Sequence, residues 1–162
     1  MNFFLANILI SKDKDVDLNI KKQILIKGLD LINKELKTSK TNNSCLTVSL
    51  RLTNIRNMKK LNYSFSGSNK ETNVLSFIPD PNETDENNNS VGDIAICVDV
   101  LKKEAKEQNK DFLDHLLHLF VHGVLHLLGY KNGSDREASK MEQIEKNILS
   151  KLGIEDPYLI EL

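Results

Sequence analysis

All four histidines of the chain fall within twelve residues, at His115, His118, His122 and His126. At about 100° per residue they form a stripe about 80° wide along one face of a helix. Between them stand Leu116, Leu117, Leu119, Phe120, Val121, Val124 and Leu125, a composition that buries a helix nearly all round. A lone histidine on such a helix reads as a core residue satisfied by a neighbour. Four in register read as metal ligands, because imidazoles four residues apart can both reach one zinc ion with bonds of about 2.0–2.1 Å. Two pairs have that spacing, His118/His122 and His122/His126. Positions 118 and 126 lie about 12 Å apart along the axis, too far for all three to share an ion. The third ligand is then expected from the chain that turns back after the helix. Gly129 supplies a helix stop directly after His126 and favours the second pair. Zinc peptidases put a glutamate after the first histidine as general base. Here that position is Gly123, which cannot take a proton.

The elements that must position these residues can be read along the chain. Residues 3–10 read as an apolar strand. Asp15 or Asp17 is expected to cap a helix running to about Leu36, ended by the polar stretch Lys37–Ser44. Leu46, Val48, Leu50 and Leu52 alternate with polar residues, the pattern of a half-buried strand. A short helix is expected from Asn54, with Ile55, Met58 and Leu61 spaced three apart. A polar loop over NYSFSGSNKE follows, and then a strand over Val74–Ile78. The segment DPNETDENNNS reads as an exposed connection, and Asp93–Val98 as a further strand. Asp99 is expected to cap a helix to about Gln108, and Asp111 to open the histidine helix. Ser134 and Glu137 form a capping box for a last helix to about Leu152. The order β-α-β-α-β-β-α-α-α lacks strict alternation. It predicts an α+β fold over residues 1–162: a single compact domain whose small mixed sheet of about four strands packs with helices, with the histidine helix in the C-terminal half.

HGVLHLLGY resembles the signature of the YbeY family, H-G-x-L-H-L-x-G-Y-D-H. LNYSFSGSNKETNVLSF is similar in frame to that family's L-N-x-x-Y-R-G-K-D-x-P-T-D/N-V-L-S-F. GDIAIC followed by KEAKEQ recurs in the same relative place, and the tail GIEDPYL also resembles family members. The resemblance runs from about Asn54 to Tyr158. It implies an RNA endonuclease fold acting in ribosomal RNA maturation and ribosome quality control, with zinc on three signature histidines. His122 and His126 match the first two. The third falls at Asn132, preceded by Lys131 in place of the family's aspartate. Asparagine offers only a neutral carbonyl oxygen, a poor substitute for imidazole on zinc, so one weakly held zinc ion is expected. Asp135 is the nearest anionic alternative and also suits the start of the last helix. The family's loop arginine, associated with activity, is Ser66 here. Arg56, Lys59, Lys60 and Lys70 stand nearby as ordinary solvated charges or as replacements for it.

The chain has 162 residues with a formal net charge of −1, so any RNA site must be a local patch and not a basic body. At 40% hydrophobic and 28% charged residues, it is too apolar for a disordered chain. The N-terminus lacks the basic lead of a signal peptide and no run approaches a membrane span. A cytoplasmic protein with no membrane partner is expected, with Cys45 and Cys97 as reduced core residues. The implied partners are ribosomal RNA and ribosome-associated proteins. Two functions follow: a metal-dependent, single-strand-specific endoribonuclease, or a catalytically impaired descendant that docks on ribosomal RNA or a ribosome-associated partner.

Overall fold

The structure, a computed structural model, describes residues 6–36, 46–80, 82 and 90–159. In chain order the elements are β1 (Asn7–Lys12), α1 (Lys22–Leu36), β2 (Thr47–Thr53), α2 (Ile55–Ser66), β3 (Val74–Phe77), β4 (Ser90–Cys97), α3 (Val98–Glu107), α4 (Phe112–Leu127) and α5 (Asp135–Lys151). The expected order and the α+β class are both observed. The sheet runs β1-β2-β4-β3. β1, β2 and β4 are mutually parallel, and β3 pairs antiparallel with β4 at the edge.

Alternation along β4 separates two apolar layers. Ile94 and Ile96 join the main core with Leu25, Leu29, Phe120, Val124 and Ile148. Ala95 and Cys97 face the other way, against Met58 of α2. Helices α4 and α2 therefore lie on opposite faces of the sheet. β2 keeps the predicted period, with Val48, Leu50 and Leu52 buried. Cys97 is a buried free thiol; Cys45 lies outside the described residues, as do residues 3–5, the stretch Lys37–Ser44 and most of the acidic, Asn-rich connection.

Three expectations are corrected. α1 begins at Lys22, not at Asp15 or Asp17, because tertiary contacts claim this stretch. Asp13 Oδ1 accepts from Arg51 Nε and Nη2 at 3.1 and 2.9 Å. Its Oδ2 accepts from Thr53 Oγ1 at 2.5 Å and Asn57 Nδ2 at 2.8 Å, while Asp15 accepts from Asn54 Nδ2 at 2.8 Å. Burial pushes the Asp13 carboxyl up, but these donors outweigh it and hold it at about 2. Secondly, the segment read as a loop from Asn62 begins inside a helix: α2 runs on to Ser66 and is closed by Gly67 at φ 77°. Thirdly, α3 starts after Cys97 with no side-chain cap, and Asp99 sits in its first turn.

Helix α4 is the hub that holds the histidines. Asp111 caps it, accepting from Asp114 N. It packs on β3 and β4 and against α1, α3 and α5. Gly123 permits the close approach: a Cβ there would stand 3.2 Å from both Ser76 Oγ and Ile94 Cδ1. Phe120 at its centre is fully buried, a side chain whose removal costs about 3–5 kcal/mol at such sites.

Candidate metal centre

The helix ends in a Schellman turn. Tyr130 N donates to Leu125 O at 3.0 Å and Gly129 N to His126 O at 3.1 Å. Gly129 adopts φ 99°, a conformation that glycine takes without steric cost. This turn brings the Tyr130 carbonyl back over the helix end, where His126 Nδ1 donates to it at 2.9 Å. One turn earlier, His122 Nδ1 meets Glu145 Oε1 at 2.5 Å. Each of these imidazoles is thus held by its Nδ1, and their Nε2 atoms converge at 3.0 Å.

A neutral imidazole carries one N–H. When both rings are neutral and both Nδ1 protons go to these acceptors, the two Nε2 lone pairs face each other, an arrangement that a cation between them would satisfy. Two nitrogens bound at about 2.0–2.1 Å to one tetrahedral zinc stand about 3.3 Å apart, so the pair fits such an ion with little movement. Carboxylate and carbonyl partners behind ligating histidines are the usual means of fixing tautomer and ring orientation. Burial and the neighbouring His122 charge push the His126 imidazole down, which favours the neutral form that a metal needs.

Behind the pair lies Glu145, fully buried on α5. Besides His122 it accepts from His118 Nε2 at 3.1 Å and from the Tyr158 hydroxyl. Burial pushes its carboxyl up, yet these three donors hold it at about 2. Burial and the Glu145 carboxylate raise the Tyr158 hydroxyl well above its ordinary value. No lysine or arginine bonds Glu145 among the described residues, so the hydrogen bonds from His118, His122 and Tyr158 are what hold its charge.

The structure brings His122 and His126 together and separates the other two from them. His115 is buried against Glu104 at 3.3 Å, and burial lowers its pKa. His118 spends its Nε2 on Glu145. Both leave a buried Nδ1 without a hydrogen-bond partner among the described residues. Asn132 and Asp135 are exposed beyond the turn, and no third His, Cys, Asp or Glu joins the pair among the described residues. Asp135 opens α5 behind the Ser134 cap, whose hydroxyl accepts from Glu137 N and donates to Glu137 Oε1, each at 3.1 Å. Ser66 Oγ turns back onto Asn62 O at 2.9 Å. Gly123, where a peptidase carries its base, faces Ser76 and Ile94 of the sheet.

Sequence reasoning missed Glu145 and Tyr158. A signal for the first exists: Met141, Glu145, Ile148 and Leu149 are the buried stripe of α5, and a carboxylate on an apolar stripe asks for a partner. Tyr158 follows the last helix and has no local signature.

The family model described as "Endoribonuclease YbeY" matches residues 9–153. An Endoribonuclease YbeY from Colwellia psychrerythraea is 44% identical over 126 residues, covering 76% of this chain and 79% of the relative. One from Bartonella henselae is 40% identical over 153 residues, covering 94% and 95%. The solution structure of a Thermotoga maritima protein superposes with a TM-score of 0.53 at 23% identity, over 94% of this chain and 99% of that one, a likeness of fold. By the span of the family match and the identity of these relatives, the chain belongs to the YbeY endoribonuclease family.

Proposed function

We propose that this protein is a zinc-dependent endoribonuclease specific for single strands. It acts in the cytoplasm on ribosomal RNA, in maturation and ribosome quality control, among ribosome-associated proteins. The observation that carries the metal reading is the approach of the two Nε2 atoms to 3.0 Å, each ring having its Nδ1 engaged by an acceptor. His122 and His126 hold one ion, with Asn132 or Asp135 as the candidate for a third position. When bound, the ion polarises a phosphoryl oxygen and makes water more acidic. Glu145 keeps His122 in the binding tautomer, and Tyr130 does the same for His126.

Purified full-length protein is expected to keep less than one zinc per chain after dialysis. With metal added it should cut single-stranded RNA, and the double variant His122→Ala/His126→Ala should cut none. A second reading, a docking factor with impaired catalysis, is favoured by Asn132 and by Ser66, which bonds its own helix. RNA binding that survives the double substitution, with no cleavage under any metal, would establish that second reading and sink the first.

A further inference from the structure

β3 is the edge strand that runs beside the histidine pair. On its α4 side, Ser76 Oγ donates to Gly123 O at 3.0 Å, next to His122. Phe77 O and the Leu127 side chain both crowd Gly92, which brings the strand's end close to the residue after His126. The opposite side of that end carries aromatic surface. Phe65, in the last turn of α2, is 59% exposed. Its ring meets Phe77 edge to face, with centroids 5.2 Å apart and planes at 84°. Ile78, the next residue, is 69% exposed. Phe77 therefore fixes the orientation of a ring that is still mostly open to solvent.

An RNA-cutting enzyme of net charge −1 has little general electrostatic hold on its substrate. Lys59 is paired with Glu71 at 3.7 Å, and Ser66 contributes no charge. Stacking needs none: an aromatic ring holds any base through its π-face, provided the base is unpaired. We propose that Phe65, backed by Phe77, is a stacking platform for one base of single-stranded RNA crossing the β3 edge to the His122–His126 pair. This rests on the endoribonuclease reading. It assigns to Phe65 part of the preference for unpaired RNA.

The test uses the full chain with an end-labelled single-stranded RNA of about 12 nucleotides, in chelator so that nothing is cut, with affinity followed by anisotropy over a range of salt. Phe65→Leu, which keeps an apolar side chain, should weaken binding roughly tenfold and leave the slope against salt unchanged. Phe65→Trp should bind close to wild type. An abasic site moved along the RNA should cost the wild type affinity at one position and cost Phe65→Leu nothing there. Wild-type affinity in Phe65→Leu overturns the platform and leaves the endoribonuclease reading standing. Equal losses in the Leu and Trp variants overturn it in favour of a packing role, and a loss that flattens the salt slope does so in favour of electrostatics. A wild-type chain that neither binds nor cuts RNA overturns both readings.

Discussion

The two halves of the histidine stripe share one helix, one face and one kind of neighbour, yet they are built for different work. In the inner half, the Nε2 atoms of His115 and His118 are spent on Glu104 and Glu145, and their Nδ1 atoms are buried without partners among the described residues. In the outer half the order is reversed: His122 and His126 give up Nδ1 and keep Nε2 free to converge. Spacing alone does not decide the matter, because His118/His122 has the same four-residue spacing as His122/His126. The difference is made by which ring nitrogen the surroundings consume, and by where α4 leaves the core. Under the proposed reading, a histidine stripe offers ligands only where the free ring nitrogens of two of its members converge.

The strongest way to break this comparison is to delete from each half in turn. The outer variant His126→Ala, which leaves Glu145 its His122 partner, should lower metal affinity at least about a hundredfold, since one of two ligands is lost outright, with little change in thermal stability. His115→Ala should do the reverse: unchanged metal affinity, and a loss of about 1–3 kcal/mol in stability from a cavity and the lost contact with Glu104. Zinc competition and thermal melts on the same samples read both quantities. A metal loss in His115→Ala would merge the two halves into one site.

Glu145 belongs to both halves and sharpens the contrast. Glu145→Gln keeps the volume but can no longer accept with two charged oxygens from His118, His122 and Tyr158. Metal affinity is expected to fall about 10–100-fold, the range for a partner behind a ligating histidine. An unchanged affinity would mean that the outer pair holds its geometry without help from behind.

How much of this was readable in advance follows the same division between local and distant partners. The Asp111 and Ser134 caps, the period of β2, the Gly129 turn and the placing of His122 and His126 one turn apart on α4 are set by neighbours in sequence, and they could be read there. Where α1 begins was not legible, because Asp13 and Asp15 are drawn off by Arg51, Thr53, Asn54 and Asn57 about forty residues away. The extension of α2 through Tyr63, Phe65 and Ser66 was hidden by polar residues that look like a loop. Glu145 and Tyr158 reach the histidines across 23 and 40 residues, so only the fold reveals them.

A smaller effect is expected from restoring a ligand. Asn132→His should raise zinc affinity about tenfold, the return on an added interaction of about 1.4 kcal/mol. No gain would show that the turn after Gly129 carries position 132 away from the pair, so that geometry and not residue type limits the site.

The smallest expected effect concerns acid, and it isolates the inner half. Burial pushes the His115 imidazole down, and the charges of His118 and Lys110 act in the same direction. Glu104 opposes them without reversing the shift. Its folded value therefore lies below that of the unfolded chain, about 6.5. Above that pH both states are neutral and His115 contributes its full share of stability. As the pH falls through it, the unfolded chain takes up a proton that the folded protein refuses, and stability drops by at most about 1.4 kcal/mol per pH unit. His115→Gln removes this term, because glutamine does not titrate. Melting temperatures of the two proteins in chelator, compared between about pH 7.5 and 5.5, should converge as the wild type loses its advantage. Parallel curves would show that His115 is as easily protonated folded as unfolded. The pairing with Glu104 would then cancel the effect of its burial.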